Sequence, residues 1–428
     1  MKKLIPILLI VLMLLSSCAL GNKGASDKTP APSPEPAVQT PSPTPEPTPS
    51  PTPEPTPEPT PEPTPSVPSE EVSREIRLSV SDGSNVGRIR DGDRVSGISL
   101  AGQKTVTVTA PAGIPLGYLY LAWNTAPGEY SLSYDGNTMT CGAGGFIHEL
   151  ISLPAAANSI TFSINSDAML TDLRAFSAGS VPDSVQNWNP PCEKADLLFF
   201  PTHSDDDALF FGALIALSVD RGLKVQAAFM TYHAINPYRA HELLDGLWAM
   251  GVRHYPTNVN FEDIKPRNLV HAYELYPEDT ICAWQVGEIR RFKPSVIAGH
   301  DLNGEYGHFA HMVNGRTLSR SVEEAAKPEY DPASAEAHGV WDTPKLYLHL
   351  YHENKIILPV YEPLEHFGGK TAFQVAEAGY SKHLTQHQWS YRVKGNEDPK
   401  CDCSAFGLVR SLVGPDTGLN DIMENIKK

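Results

Sequence analysis

From residue 193 onward, short continuous apolar runs alternate with stretches of helical period. "KADLLFF" is apolar at successive positions, as a strand buried on both faces must be. "ALFFGALIALSVDRG" is long enough for a helix and ends at Gly222, a residue suited to stopping one. "KVQAAFMTY" reads as the next strand. "RAHELLDGLWAMG" reads as the next helix, with Leu243, Leu244, Leu247 and Met250 at helical spacing. "FKPSVIAGH" and "HFAHMVNGRTLSRSVEEAA" repeat the pair. This order predicts an α/β domain over 193–428 built on a Rossmann-like, doubly wound sheet. Ligands of such sheets bind beyond the carboxyl ends of the strands.

The stretch 71–185 has a different texture. "EIRLSVS", "KTVTVTA", "GYLYLAW", "EYSLSYDG" and "SITFSINS" alternate with period two, and turn residues separate them. They predict an all-β sandwich or jelly roll. "LTDLRAFSAG" resembles the closing strand of discoidin-like, galactose-binding-like modules. That resemblance implies a carbohydrate-binding module, with a ligand-free structural sandwich as the alternative. Tyr118, Tyr120 and Trp123 are candidates for a stacking surface, although alternate tyrosines on one strand more often pack.

Ahead of the sandwich, residues 18–70 repeat proline, threonine and glutamate, as in "PTPEPTPEPTPEPTP". Such a segment has no apolar face to bury and favours an extended polyproline conformation. Residues 1–17 begin with Lys2 and Lys3 and continue with an apolar run over Leu4–Leu15, too short for a bilayer span of about 20 residues. "LSSC" then resembles the bacterial lipoprotein signal. The resemblance implies lipid on Cys18, a membrane anchor and a position on the extracellular face of a bacterial membrane. Five further cysteines, Cys141, Cys192, Cys282, Cys401 and Cys403, have no zinc-knuckle spacing and read as structural. A formal charge of -16 over 428 residues argues against a nucleic-acid partner, which needs a basic face.

Three polar clusters fall at the predicted carboxyl edge. They are "HSDDD" from His203 to Asp207, "YHAINPYRAHE" containing Arg239, and "GHDLNGEYGHFAH" from Gly299 to His311. Acids opening a helix complement its dipole, which accounts for one or two of the aspartates. It does not account for His203 or for the histidine-rich loop. His203 and Asp206 are three residues apart at a strand-to-helix turn, so both can face one centre. His311 would complete a two-histidine, one-carboxylate set with an open position, as catalytic zinc requires. A dication would also offset the repulsion among the aspartates.

At this point the chain from about 194 onward resembles the PIG-L/LmbE-like family of zinc-dependent N-acetylglucosamine de-N-acetylases. The family's His-Pro-Asp-Asp-Glu stands here as "HSDDD", its Arg-x-x-Glu as "RAHE" (Arg239 to Glu242), and its Gly-His-Pro-Asp-His loop as "YGHFAH". "WDTPKLYLHLY" and "KHLTQ" resemble later family segments. The resemblance implies Zn2+ held by His203, Asp206 and His311. It implies Asp205 as general base, Tyr306 as a partner of the developing oxyanion, His308 as the proton donor to the departing amine, and Arg239 as a substrate contact. Ser204, Asp207, Phe309 and Ala310 depart from the pattern, and the loss of an aspartate at Ala310 bears on how His308 is oriented.

Other polar residues carry plainer expectations. Asp207 reads as a cap or supporting group. His300, Asp301 and Glu305 lie near the site, and His383 is a candidate pocket residue. His233, His241, His254, His271, His349, His352 and His366 read as surface or hydrogen-bonded core. The expected function is removal of acetyl from an N-acetylated amino sugar outside the cell. A rival is a non-catalytic carbohydrate-binding lipoprotein with a degenerate hydrolase domain. A phosphoester hydrolase is a second rival, but the chain has no phosphate-cradling glycine loop to support it.

Overall fold

The computed structural model describes residues 67–232 and 236–427. The leader, Cys18, nearly all of the proline-rich stretch and His233 lie outside the described residues.

Among the described residues, nine strands make the sandwich. In chain order they are β1 (Arg77–Val80), β2 (Ile98–Ser99), β3 (Val106–Thr109), β4 (Leu116–Trp123), β5 (Tyr130–Tyr134), β6 (Asn137–Cys141), β7 (His148–Ala157), β8 (Ser159–Ser163) and β9 (Met169–Ser177). One sheet has the order β1-β3-β8-β5-β6 and the other β2-β9-β4-β7. The β5–β6 hairpin turns on Asp135 and Gly136, at φ 42° and 87°, the left-handed pair that a two-residue hairpin requires. Val106, Val108, Leu132 and Phe162 of one sheet meet Leu119, Leu121, Trp123 and Leu173 of the other. Trp123 and Tyr120 are therefore packing residues, and the Tyr118 hydroxyl donates to the Gly179 carbonyl at 2.6 Å. These aromatic rings do not form a stacking surface. β7 carries Pro154 and lies at a sheet edge, the place where a strand tolerates a missing N–H.

The third sheet contains β10 (Leu197–Phe199), β11 (Val225–Tyr232), β12 (Thr257–Glu262), β13 (Val296–Gly299), β14 (Lys345–His349), β15 (Lys355–Ile357) and β16 (Ala405–Ser411). Its order is β12-β11-β10-β13-β14-β16-β15. The first five in that order run parallel, and β16 pairs antiparallel with both β14 and β15. The order reverses between β10 and β13. A crevice therefore opens at their carboxyl ends, as it does in every doubly wound sheet.

Helices cover both faces. They are α1 (Asp206–Leu209), α2 (Gly212–Asp220), α3 (Tyr238–Ala249), α4 (Leu269–Leu275), α5 (Glu278–Phe292), α6 (Phe309–Ala325), α7 (Pro332–His338) and α8 (Ala372–Tyr380). Leu197 and Phe199 of β10 pack into a core with α2, α3 and α8. Leu198 and Phe200 point the other way, into a core with α5 and α6. The single helix expected over "ALFFGALIALSVDRG" is two pieces, α1 and α2. At the break Gly212 lies against α8, where an added Cβ would come within 2.7 Å of the Ala376 side chain.

A buried polar network joins the sandwich to α3. Arg94 of the sandwich bonds both oxygens of Asp245, at 2.7 and 2.9 Å. His148 meets His241 at 2.8 Å and Gln186 at 2.6 Å, and Gln186 in turn bonds Asp245. Phe146 stacks on Tyr255 beside this network, with centroids 4.5 Å apart. The sandwich is thus bonded to the same helix that carries Arg239.

Candidate active site

The site lies where β10 and β13 end. After β10 the chain runs through Pro201 and Thr202 and turns back on Asp206. Oδ2 of Asp206 accepts from the backbone N–H of Thr202 at 3.1 Å and of His203 at 2.7 Å. Asp206 therefore fixes the loop ahead of it. Asp205, at the start of α1, caps no backbone group with its side chain. Asp207 is fully buried and faces His383, with His383 Nε2 and Oδ1 3.6 Å apart.

After β13 the chain makes a tight turn through Gly304, Tyr306 and Gly307, all at positive φ. Tyr306 adopts φ 46° and ψ 21°, a left-handed conformation that costs free energy in a residue with a Cβ. The turn places Glu305 inward and Tyr306 outward. Then α6 begins, with His308 as its cap and His311 in its first turn.

His203, Asp206 and His311 converge. His203 Nδ1 lies 3.1 Å from His311 Nε2 and 3.3 Å from Asp206 Oδ2, and His311 Nε2 lies 3.3 Å from Asp206 Oδ1. A tetrahedral zinc with N and O ligands at about 2.0–2.1 Å separates its donors by about 3.3–3.4 Å. The two edges to Asp206 have that length, one ending on Oδ2 and the other on Oδ1, and the edge between the histidines is a little shorter at 3.1 Å. Each histidine also has its other nitrogen set against a carboxylate. His311 Nδ1 bonds Glu305 Oε2 at 2.8 Å, and His203 Nε2 faces Asp263 Oδ1 at 3.5 Å. Once each ring has given up its second proton, as metal binding requires, that backing fixes the tautomer and leaves a lone pair facing the centre. These residues fit a zinc ion. His308 and His300 lie close enough to form alternative donor sets, His203–His308–His311 and Asp206–His300–His311. His300 Nε2, however, lies 3.0 Å from the Thr202 N–H, which engages its lone pair.

Electrostatics favour a positive charge at this point. Burial alone would raise Asp206, but His311 and His203 hold it well below the usual carboxylate range. Burial works against charge on His311, yet Asp206 and Glu305 outweigh it and push the imidazole up to about 10. His308 shows the opposite behaviour. Burial, followed by the neighbouring His311 and His203, lowers it to about 2, so its ring is neutral. Its Nδ1 is buried, with no hydrogen-bond partner among the described residues. Burial and then the nearby Asp206 and Asp205 push the Tyr306 hydroxyl far above its ordinary value, so it stays a donor.

Arg239 does not point into open space. Its guanidinium bonds Asp205 at 2.6 Å, Ser204 at 3.0 Å and Asp263 at 3.2 Å. Glu242, three residues on, accepts from the Thr385 N–H at 2.8 Å and hydroxyl at 2.6 Å. Glu305 accepts from His300 and His311 on one oxygen, and His349 meets its other oxygen at 2.7 Å. It stands behind the histidines. His349 is buried and hydrogen-bonded, as expected of a core histidine, but its partner belongs to the site. Asp301 closes its own loop through the Asn303 N–H. Sequence reasoning missed Asp263, which follows β12. The one available signal was that a residue just past a strand of this sheet lies on the ligand edge.

Fold and site together define an α/β protein with a His–Asp–His cluster and a second aspartate at the switch point of its sheet. No family model matches the chain. Over 207 residues it is 27% identical to the 1D-myo-inositol 2-acetamido-2-deoxy-alpha-D-glucopyranoside deacetylase 1 of Catenulispora acidiphila, a match covering 42% of this chain and 61% of that one. Over 178 residues it is 28% identical to the deacetylase of that activity from Geodermatophilus obscurus, covering 35% of this chain and 60% of that one. The chain thus spans about three-fifths of the length of these curated relatives, which are deacetylases of an N-acetylated amino sugar. Among solved structures, N,N'-diacetylchitobiose deacetylase from Pyrococcus horikoshii matches with a TM-score of 0.35 and 17% identity, over 46% of this chain and 74% of that one. The family 32 carbohydrate-binding module of C. perfringens NanJ matches with a TM-score of 0.21 and 9% identity, over 26% of this chain and 99% of that one. At these scores neither likeness bears on function.

Proposed function

We propose that this protein is a zinc-dependent N-deacetylase that removes acetyl from an N-acetylated amino sugar. The observation that carries the reading is the donor triangle of His203, Asp206 and His311 with Asp205 beside it. The curated relatives support the same reading, since they are deacetylases of a 2-acetamido sugar. The leader and Cys18 support placing the protein on the outer face of a bacterial membrane through lipid.

His203, Asp206 and His311 would hold the metal. When bound, it supplies Lewis acidity toward the acetamide carbonyl and makes a water more acidic. Asp205 accepts the proton of the attacking water. Arg239 aims that carboxylate through the 2.6 Å bond and keeps it from swinging toward the ligands. The Tyr306 hydroxyl donates to the carbonyl oxygen as negative charge develops there. His308 is neutral before the reaction, so the proton that reaches the departing amine is the one Asp205 took from the water, passed on directly or by way of the His308 ring. Glu305 keeps the His311 ring in register.

The test is acetate release from N-acetylglucosamine compounds by the purified protein, with metal content measured in parallel. About one zinc per chain, lost together with activity in His203→Ala, is the expected result. A protein that binds no metal and releases no acetate under any loading condition would overturn the reading.

A further inference from the structure

Residues 387–392, "HQWSYR", form an exposed stretch between buried Gln386 and buried Val393. It holds two large aromatic side chains in water, Trp389 at 57% exposure and Tyr391 at 39%. A tryptophan and a tyrosine left this open forgo the gain from burying apolar area. Tyr391 is not remote from the chemistry. Its ring stacks on Tyr306, with centroids 5.2 Å apart and planes at 28°. Tyr306, itself 43% exposed, stands 5.8 Å from His308 and 5.7 Å from His311 between ring centroids.

The stretch is also tied to the site. Thr385, just ahead of it, is held by the Glu242 carboxylate through two hydrogen bonds. Glu242 lies one turn along α3 from Arg239, which holds Asp205. One helix therefore positions the proposed base and the root of the aromatic segment. Among the described residues, the ring contact of Tyr391 is with Tyr306, and more than a third of the residue remains in solvent. A ring that served only to support Tyr306 would gain by being covered.

We propose that Tyr391 forms a subsite for a second sugar residue. The substrate class is then an oligosaccharide or glycoside. Its N-acetylated residue reaches Asp205 while the neighbouring pyranose lies on the Tyr391 ring. A pyranose has an apolar C–H face and a polar rim. A half-exposed aromatic ring satisfies both, covering the face and leaving the hydroxyls in water. This inference rests on the deacetylase reading above.

The experiment compares the full chain with Tyr391→Ala and Tyr391→Phe, using N-acetylglucosamine and N,N'-diacetylchitobiose as probes. In Tyr391→Ala the ratio of kcat/KM for the disaccharide to that for the monosaccharide should fall about tenfold, equivalent to about 1.4 kcal/mol, with the change in KM. Tyr391→Phe, which keeps the ring, should retain the wild-type ratio. An unchanged ratio in Tyr391→Ala, with both substrates impaired equally, would assign the ring to supporting Tyr306 and overturn the subsite. A wild-type dimer in sedimentation that Tyr391→Ala dissolves, with the ratio intact, would assign it to self-association and overturn it as well. Calorimetric titration of N,N'-diacetylchitobiose separates this inference from the one beneath it. A protein that releases no acetate yet binds the disaccharide about tenfold more tightly than Tyr391→Ala does keeps the subsite and loses the deacetylase.

Discussion

Arg239 and Asp205 form a 2.6 Å ion pair at the mouth of the site, and each side chain is 11% exposed. The arginine braces the carboxylate that stands next to the metal-binding triangle, and it reaches Asp263 with its other arm. In so enclosed a place the pair is little screened by salt.

Asp205→Asn keeps the shape of the side chain and removes its capacity to take a proton. Acetate release should fall by about 10²–10⁴-fold, the range for loss of a general base. Zinc content should stay at the wild-type level, because His203, Asp206 and His311 are untouched. A variant with full activity would remove Asp205 from the mechanism.

Glu305→Gln tests the support behind the histidines. Glu305 presents one oxygen to His300 and His311 and the other to His349. Glutamine has a single acceptor oxygen, so its NH2 would confront at least one of these rings. Zinc affinity should fall about 10–100-fold. Competition with a chromophoric chelator measures this, and circular dichroism checks that the fold is retained.

The junction histidines predict a pH dependence of stability. Burial, then the Arg94 charge, lowers His241 to about 4, and burial with Arg94 and His241 holds His148 well below its ordinary value. Between pH 6.5 and 4 the unfolded chain binds protons that the folded chain refuses, so stability declines as pH falls through that window. His241 alone accounts for up to about 3 kcal/mol. Melting curves from pH 7 to pH 4 should show the decline, and His241→Gln should flatten it.

Lys345 begins β14 fully buried, bonded to Asp416 and to the carbonyls of Ile422 and Glu424 at 3.1 Å each. Asp416 also accepts from the Tyr347 hydroxyl. Asp416→Ala leaves the ammonium buried without its counter-charge and should cost about 3–5 kcal/mol. The readout is a lower urea midpoint with an unchanged slope.

The parts that the sequence made legible are local ones. His203 and Asp206 are three residues apart, so their convergence follows from one turn. β10, β11 and β13 are short, largely apolar runs set between helical stretches, the pattern of buried parallel strands. What stayed hidden depends on distant pairing. His349 meets Glu305 across 44 residues, and no spacing rule reaches that far. β12 reads as "TNVNFE", half polar because it is a sheet edge, so neither the strand nor Asp263 beyond it stood out. β7 was masked by Pro154, which only its edge position permits. The break between α1 and α2 was hidden because both halves are equally apolar, and only the approach of α8 distinguishes Gly212.

The Arg94–Asp245 and His148–His241 bonds have a consequence for inheritance. A module hung on a linker can be swapped between proteins like a cassette. This sandwich is fastened instead: Phe146 and Ile147 pack into the core of the other half, and Arg94 and His148 bond a helix there. A lineage that lost it would bare Tyr255 and strip α3 of its partners. The two halves are expected to travel through evolution as a single transmissible piece.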